Sequence, residues 1–113
     1  RGQGRYTDDI NLPGQLHAYV LRSRYAHGRI KSIDTAQAKT MPGVLGVYTG
    51  ADLTAYGTLQ SALPFKSRDG SEMKKPARPA LPTDKVRFAG DPIACVVAQT
   101  LAHAVANHVV VFD

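Results

Sequence analysis

At 113 residues, with 43% hydrophobic and 20% charged residues, the chain has the size and composition of one globular domain and not of a disordered segment. No apolar run approaches the roughly 20 residues that span a bilayer. The one cysteine excludes an internal disulfide and a multi-cysteine zinc or iron–sulfur site, and it fits a reducing cytoplasm.

The start, Arg1-Gly2-Gln3-Gly4-Arg5, lacks both an initiator Met and a signal-peptide apolar core. Pro13-Gly14 predicts a turn. Residues 16–21 then alternate as a strand, with Leu16, Ala18 and Val20 on one face and His17, Tyr19 and Leu21 on the other. Ile30 and Ile33 open a second unit. Asp34-Thr35 offers a helix cap, Ala36-Gln37-Ala38-Lys39 is helix-forming, and Pro42-Gly43 stops the helix. Val44 to Tyr48 reads as a strand, and residues 49–53 as a turn into a short helical piece.

Residues 57–83 show no sustained period and hold four of the seven prolines: Pro64, Pro76, Pro79 and Pro82. So long an irregular stretch predicts an excursion covered by a partner, with Leu59, Leu63, Phe65 and Leu81 as its apolar contacts. Asp69-Gly70 predicts a hairpin tip and Pro79 to Pro82 an extended run. The net charge of +5 concentrates nearby. Residues 66–87 carry Lys66, Arg68, Lys74, Lys75, Arg78, Lys85 and Arg87 against Asp69, Glu72 and Asp84, which makes +4 of it. No aromatic residues alternate with these cations, so nucleic acid is not the expected partner.

Ile93 to Ala98 is apolar at every position, as in a central strand buried on both faces, with Cys95 in the core. Thr100 predicts a cap for a helix whose Leu101, Ala104, Val105 and His108 fall on one face; a last strand follows over 109–112. Two strand–helix–strand units, 30–48 and 93–112, thus flank the excursion. Helices this short do not suit a doubly wound sheet. The expectation is an α+β domain: a mixed sheet with helices to one side.

Specific wording lies in Tyr6-Thr7-Asp8-Asp9-Ile10, Leu12-Pro13-Gly14-Gln15-Leu16, Leu21-Arg22-Ser23, Ala26-His27-Gly28-Arg29-Ile30 and Asp84-Lys85-Val86-Arg87-Phe88-Ala89-Gly90-Asp91-Pro92-Ile93-Ala94. In order and spacing these resemble the N-terminal α/β-hammerhead domain of the molybdenum-binding subunit in the xanthine dehydrogenase, aldehyde oxidase and carbon monoxide dehydrogenase family. The likeness runs through nearly all of 1–113, so the chain is expected to be one hammerhead domain from a larger subunit. Arg24-Tyr25 departs from the family's usual Pro-His after Arg22-Ser23; losing that proline frees a φ and restores a donor.

No candidate chemistry outweighs a structural reading. Gly2-Gln3-Gly4 could bring backbone donors to a phosphate or oxo group, but it lacks the strand and helix a phosphate loop needs; it reads as a lead-in. Asp8 and Asp9 suit a turn or cap better than paired acid catalysis. His17, His27, His103 and His108 form no metal spacing, the last two lying five apart. Catalytic, cofactor-binding and metal residues are therefore none.

The resemblance implies a parent hydroxylase that oxidises an aldehyde, purine, N-heterocycle or carbon monoxide. It implies molybdopterin-bound molybdenum, with 2Fe–2S clusters and FAD on other domains or subunits. The C-terminal molybdenum domains and the iron–sulfur and FAD subunits are the implied partners. The fragment is expected to be cofactor-free and inactive alone. The competing reading is a stand-alone binding module using the basic Pro-rich loop 66–87.

Overall fold

The computed structural model describes residues 2–105 and, as backbone, 110–112. The alternating segment becomes β1 (His17–Arg22), followed by β2 (Gly28–Ile33), α1 (Ala36–Thr40) and β3 (Val44–Thr49). The excursion holds two short strands, β4 (Thr58–Leu59) and β5 (Arg78–Pro79). Then come β6 (Lys85–Val86), β7 (Pro92–Ala98), α2 (Leu101–Val105) and β8 (Val110–Phe112).

Thr100 forms the cap expected of it; at α1 the N-cap Thr35 makes no side-chain cap bond, and Asp34 before it bonds the first helical N–H instead. Asp34 Oδ1 accepts the Ala36 N–H at 2.9 Å, and Thr100 Oγ1 accepts the His103 N–H at 3.2 Å. Gly43, at φ +76°, turns the chain out of α1.

The α+β expectation holds, but the sheet is not mixed. Two three-stranded sheets, ordered β1-β7-β3 and β6-β2-β8, and the β4-β5 ribbon are antiparallel at every pairing among the described residues. The two strand–helix–strand units interlock: β3 pairs with β7, and β2 with β8. Parallel neighbours need a crossover of about a dozen residues or more. Residues 34–43 fall short of that, so β3 leaves for the other sheet.

One core cluster lies between α1, β3 and β7, while the fully buried Val86 and Ile93 lie outside it. Val96 stands between its register partners Tyr19 and Val47, and Ala38 of α1 closes on Val47 and Val96 with Val44 beside them. Helix α2 packs on β1 and β7 through the fully buried Ala104. Small residues at both helix contacts let short helices sit close to the sheet. Burying each aliphatic side chain of this core contributes roughly 1.5–3 kcal/mol.

Two expectations about this region are corrected. Leu101 and Val105 are 55% and 41% exposed, so α2 offers the core Ala104 and not an apolar stripe; His108 lies outside the described residues. Cys95 is half-buried, not a core residue. The strand period puts it opposite Val96, beside its partners Val20 and half-exposed Tyr48.

The excursion is a long hairpin arm. Its base is the β4-β5 pairing. Its tip closes at Asp69-Gly70, where Gly70 has φ +82° and Asp69 Oδ1 accepts the Ser71 N–H and hydroxyl at 3.0 and 2.7 Å. A Lys66–Glu72 bridge brackets the tip. The radius of gyration is 17.8 Å, against about 13 Å for a compact chain of this length, so part of the chain stands away from the core. Leu81 corrects a further expectation. It is 6% exposed and folds back on its own domain, where the 81–83 backbone crosses Gly50; a Cβ there would lie 2.5 Å from the Leu81 carbonyl oxygen.

Candidate functional site

The motif stretches 21–23 and 84–94 meet in space. Strand β1 ends where β7 begins, and the two ends are latched by backbone bonds. The Ser23 N–H donates to the Asp91 carbonyl at 2.9 Å, and the Gly90 N–H donates to the Ser23 carbonyl at 2.8 Å. Arg22 Nη1 reaches the Gly90 carbonyl at 2.9 Å. Residues 88–91 form the turn that makes this possible: the Asp91 N–H donates to the Phe88 carbonyl at 3.1 Å, with Gly90 at φ +91°.

Ser23 and Asp91 are buried at this latch, at 4% and 8% exposure. Both side chains are spent on backbone. Ser23 Oγ donates to the Tyr25 carbonyl at 2.9 Å and accepts the Tyr25 N–H at 3.0 Å; Asp91 Oδ2 accepts the Arg87 N–H at 2.9 Å. Buried polar groups with such partners hold a chain crossing in place. Sequence reasoning did not find this latch, since no local pattern links residues 68 apart.

The remaining candidates do not converge. Gly2-Gln3-Gly4 is exposed, with nothing within 4 Å of a Cβ built on Gly2. Asp9 Oδ2 accepts the Tyr6 N–H at 2.9 Å, which is the turn role read for it; Asp8 is exposed in the same 3₁₀ turn. His17 is half-buried in β1 and His27 exposed before β2, while His103 crowds Gly43. Among the described residues no three His, Cys, Asp or Glu side chains are grouped to hold a metal ion. Asp52 is held below the usual carboxylate range by the Thr49 N–H at 2.7 Å and then by the Thr49 hydroxyl at 2.9 Å.

What the structure does build is a groove. Between the base of the arm and the latch lies a concave surface of about 650 Å³. Leu59, Met73, Pro76, Pro79, Phe88 and Pro92 supply its apolar wall, with Lys74, Lys75, Arg78 and Arg87 beside them. The Arg78 guanidinium sits 5.8 Å from the centre of the Phe88 ring. The Pro-rich basic run signalled this surface in sequence; the part played by Phe88 and Pro92, from beyond the arm, was not visible there.

Residues 1–112 match the family described as aldehyde oxidase and xanthine dehydrogenase, a/b hammerhead domain. The chain belongs to this hammerhead family. It is 40% identical over 104 residues to the nicotine 6-hydroxylase large subunit of Paenarthrobacter nicotinovorans, covering 91% of this chain and 12% of that one. It is 38% identical over 102 residues to the xanthine dehydrogenase molybdenum-binding subunit of Escherichia coli O157:H7, covering 87% of this chain and 13% of the relative. The crystal structure of quinoline 2-oxidoreductase from Pseudomonas putida 86 superposes with a TM-score of 0.78 at 38% identity, over 91% of this chain and 13% of that one. The hammerhead chain thus spans about an eighth of the length of the relatives it matches. It is a domain of molybdenum hydroxylase family large subunits. Nothing supports the stand-alone binding module. No helix of the described residues is long and apolar enough to cross a membrane.

Proposed function

We propose that residues 1–113 form the structural and assembly domain of a molybdenum-cofactor hydroxylase large subunit, inactive by itself. The parent enzyme oxidises an aldehyde, purine, N-heterocycle or carbon monoxide in the cytoplasm. It uses molybdopterin-bound molybdenum, with 2Fe–2S clusters and FAD carried by other domains or subunits; the later domains of its own subunit and those iron–sulfur and FAD units are the partners of this one. When bound, such a cofactor supplies the redox chemistry.

The observation that carries this reading is where the shared residues go. Arg22, Ser23, Gly90 and Asp91 sit in the stretches that resemble the family, and their polar groups are used in latching β1 to β7. They hold a fold and leave no donor set for a reaction. Two observations on the described residues support leaving the cofactor to other domains. Gly2-Gln3-Gly4 has no structure behind it, and no ligand cluster converges. No step of the oxidation is therefore assigned to this chain.

The test uses the full-length gene product and this 113-residue chain side by side. The full-length enzyme should contain molybdenum and oxidise an aldehyde, purine, N-heterocycle or carbon monoxide. The short chain should give a folded spectrum, no stoichiometric molybdenum and no turnover. Turnover by the short chain, or a full-length product without molybdenum, would overturn the proposal.

A further inference from the structure

The groove beside the arm has a composition that selects its occupant. Its floor is apolar and partly uncovered: Leu59 is 58% exposed and Phe88 44%. Lys74, Lys75, Arg78 and Arg87 line it, and the one carboxylate among the lining residues, Asp91, is buried and already accepts the Arg87 N–H. Lys74 and Lys75 make no ion pair among the described residues. Apolar exposure continues along the arm to Leu63 and Phe65, at 53% and 62%. A small molecule filling about 650 Å³ would leave those two in water. An extended peptide segment would cover the whole line, with acidic residues meeting the lysines and apolar ones entering the groove.

The rest of the polypeptide is the economical source of that segment. The chain makes up 12–13% of the relatives it matches, so most of such a subunit is tethered to this domain. A tethered segment docks at high effective concentration without a second association step. We propose that the groove seats an extended, acidic and apolar segment from the remainder of the same large subunit, clamped by Lys74 and Lys75 over Phe88. This rests on the reading of the chain as a domain of such a subunit.

Zero-length carbodiimide cross-linking of the purified intact enzyme tests it. Lys74 or Lys75 should link to an Asp or Glu of the same polypeptide outside residues 1–113, leaving the subunit at its single-chain mass on a denaturing gel. A link to a different subunit or to a second copy would overturn the same-chain occupant. Acetylation of Lys74 and Lys75 as fast as Lys66 at the arm's tip, without any link, would overturn docking altogether. In the intact enzyme carrying Lys74→Glu with Lys75→Glu, chymotryptic cleavage after Phe65 should speed up about tenfold, the scale of losing one charge-assisted contact. Unchanged cleavage counts against the proposal; if the variant does not fold, the cross-link on the native enzyme still decides. These outcomes are read in enzyme whose molybdenum content has been measured, so an open groove in a molybdenum-bearing enzyme overturns the docking and leaves the hydroxylase reading standing.

Discussion

Replacing Asp91 by Ala should loosen the crossing of β1 and β7. The side chain is 8% exposed, and its Oδ2 accepts the Arg87 N–H at 2.9 Å. A hydrogen bond to a charged acceptor is worth about 1.5–3 kcal/mol. Arg87 itself is exposed, so water can partly replace the lost acceptor and the lower end applies. The same residue's backbone holds Ser23, and the Phe88–Asp91 turn positions Gly90 for its bond to the Ser23 carbonyl. Slackening that turn adds to the loss, and a total of about 2 kcal/mol follows. For a domain near this size each kcal/mol lowers the melting temperature by roughly 4–8 °C, so the Ala variant should melt on the order of 8–16 °C lower. Asp91→Asn keeps an uncharged oxygen acceptor and should lose about half as much. Urea unfolding followed by circular dichroism measures both, with the slope unchanged if the native fold is kept. An Ala variant within about 0.5 kcal/mol of the parent chain, or an Asn variant as damaged as Ala, would refute the latch as the reason for this carboxylate.

Two further outcomes follow from burial and charge. Cys95, half-buried beside Val20 and Tyr48, should react with a maleimide in the native 113-residue chain, and Cys95→Ser should cost about 1 kcal/mol or less; labelling that waits for denaturant would return the thiol to the core. Asp52, whose carboxyl is lowered by Thr49, stabilises the fold above the ordinary 3.8 and loses that contribution as pH falls through its lower native value. The urea midpoints of the parent and Asp52→Asn should therefore differ at neutral pH and converge well below 3.8; a gap that does not change with pH would rule this out.

Much of the local structure was legible from residue order alone. The alternation over 16–21, the caps at Asp34 and Thr100, the stop at Gly43 and the tip at Asp69-Gly70 each depend on neighbours within about four positions. Those signals survive in any context, and the motif wording carried the family with them. Pairing was beyond their reach. Whether β3 lies beside β2 or β7 depends on contacts between residues far apart, and the two arrangements share the same local pattern.

Burial followed pairing. Cys95 and Val96 are equally apolar in sequence, but Ala38 of α1 closes on Val96 while Cys95, on the opposite side of β7, is only half-buried. Leu81 resembles Leu63 on paper. It is buried because Gly50, with no Cβ, lets the returning arm cross β3's end, while Leu63 lies out along the hairpin. The latch and the groove belong to the same class. Each is assembled from segments that only the closed fold brings together, so sequence determined the elements and the family, and tertiary structure decided which side chains hold the fold and which line an open groove.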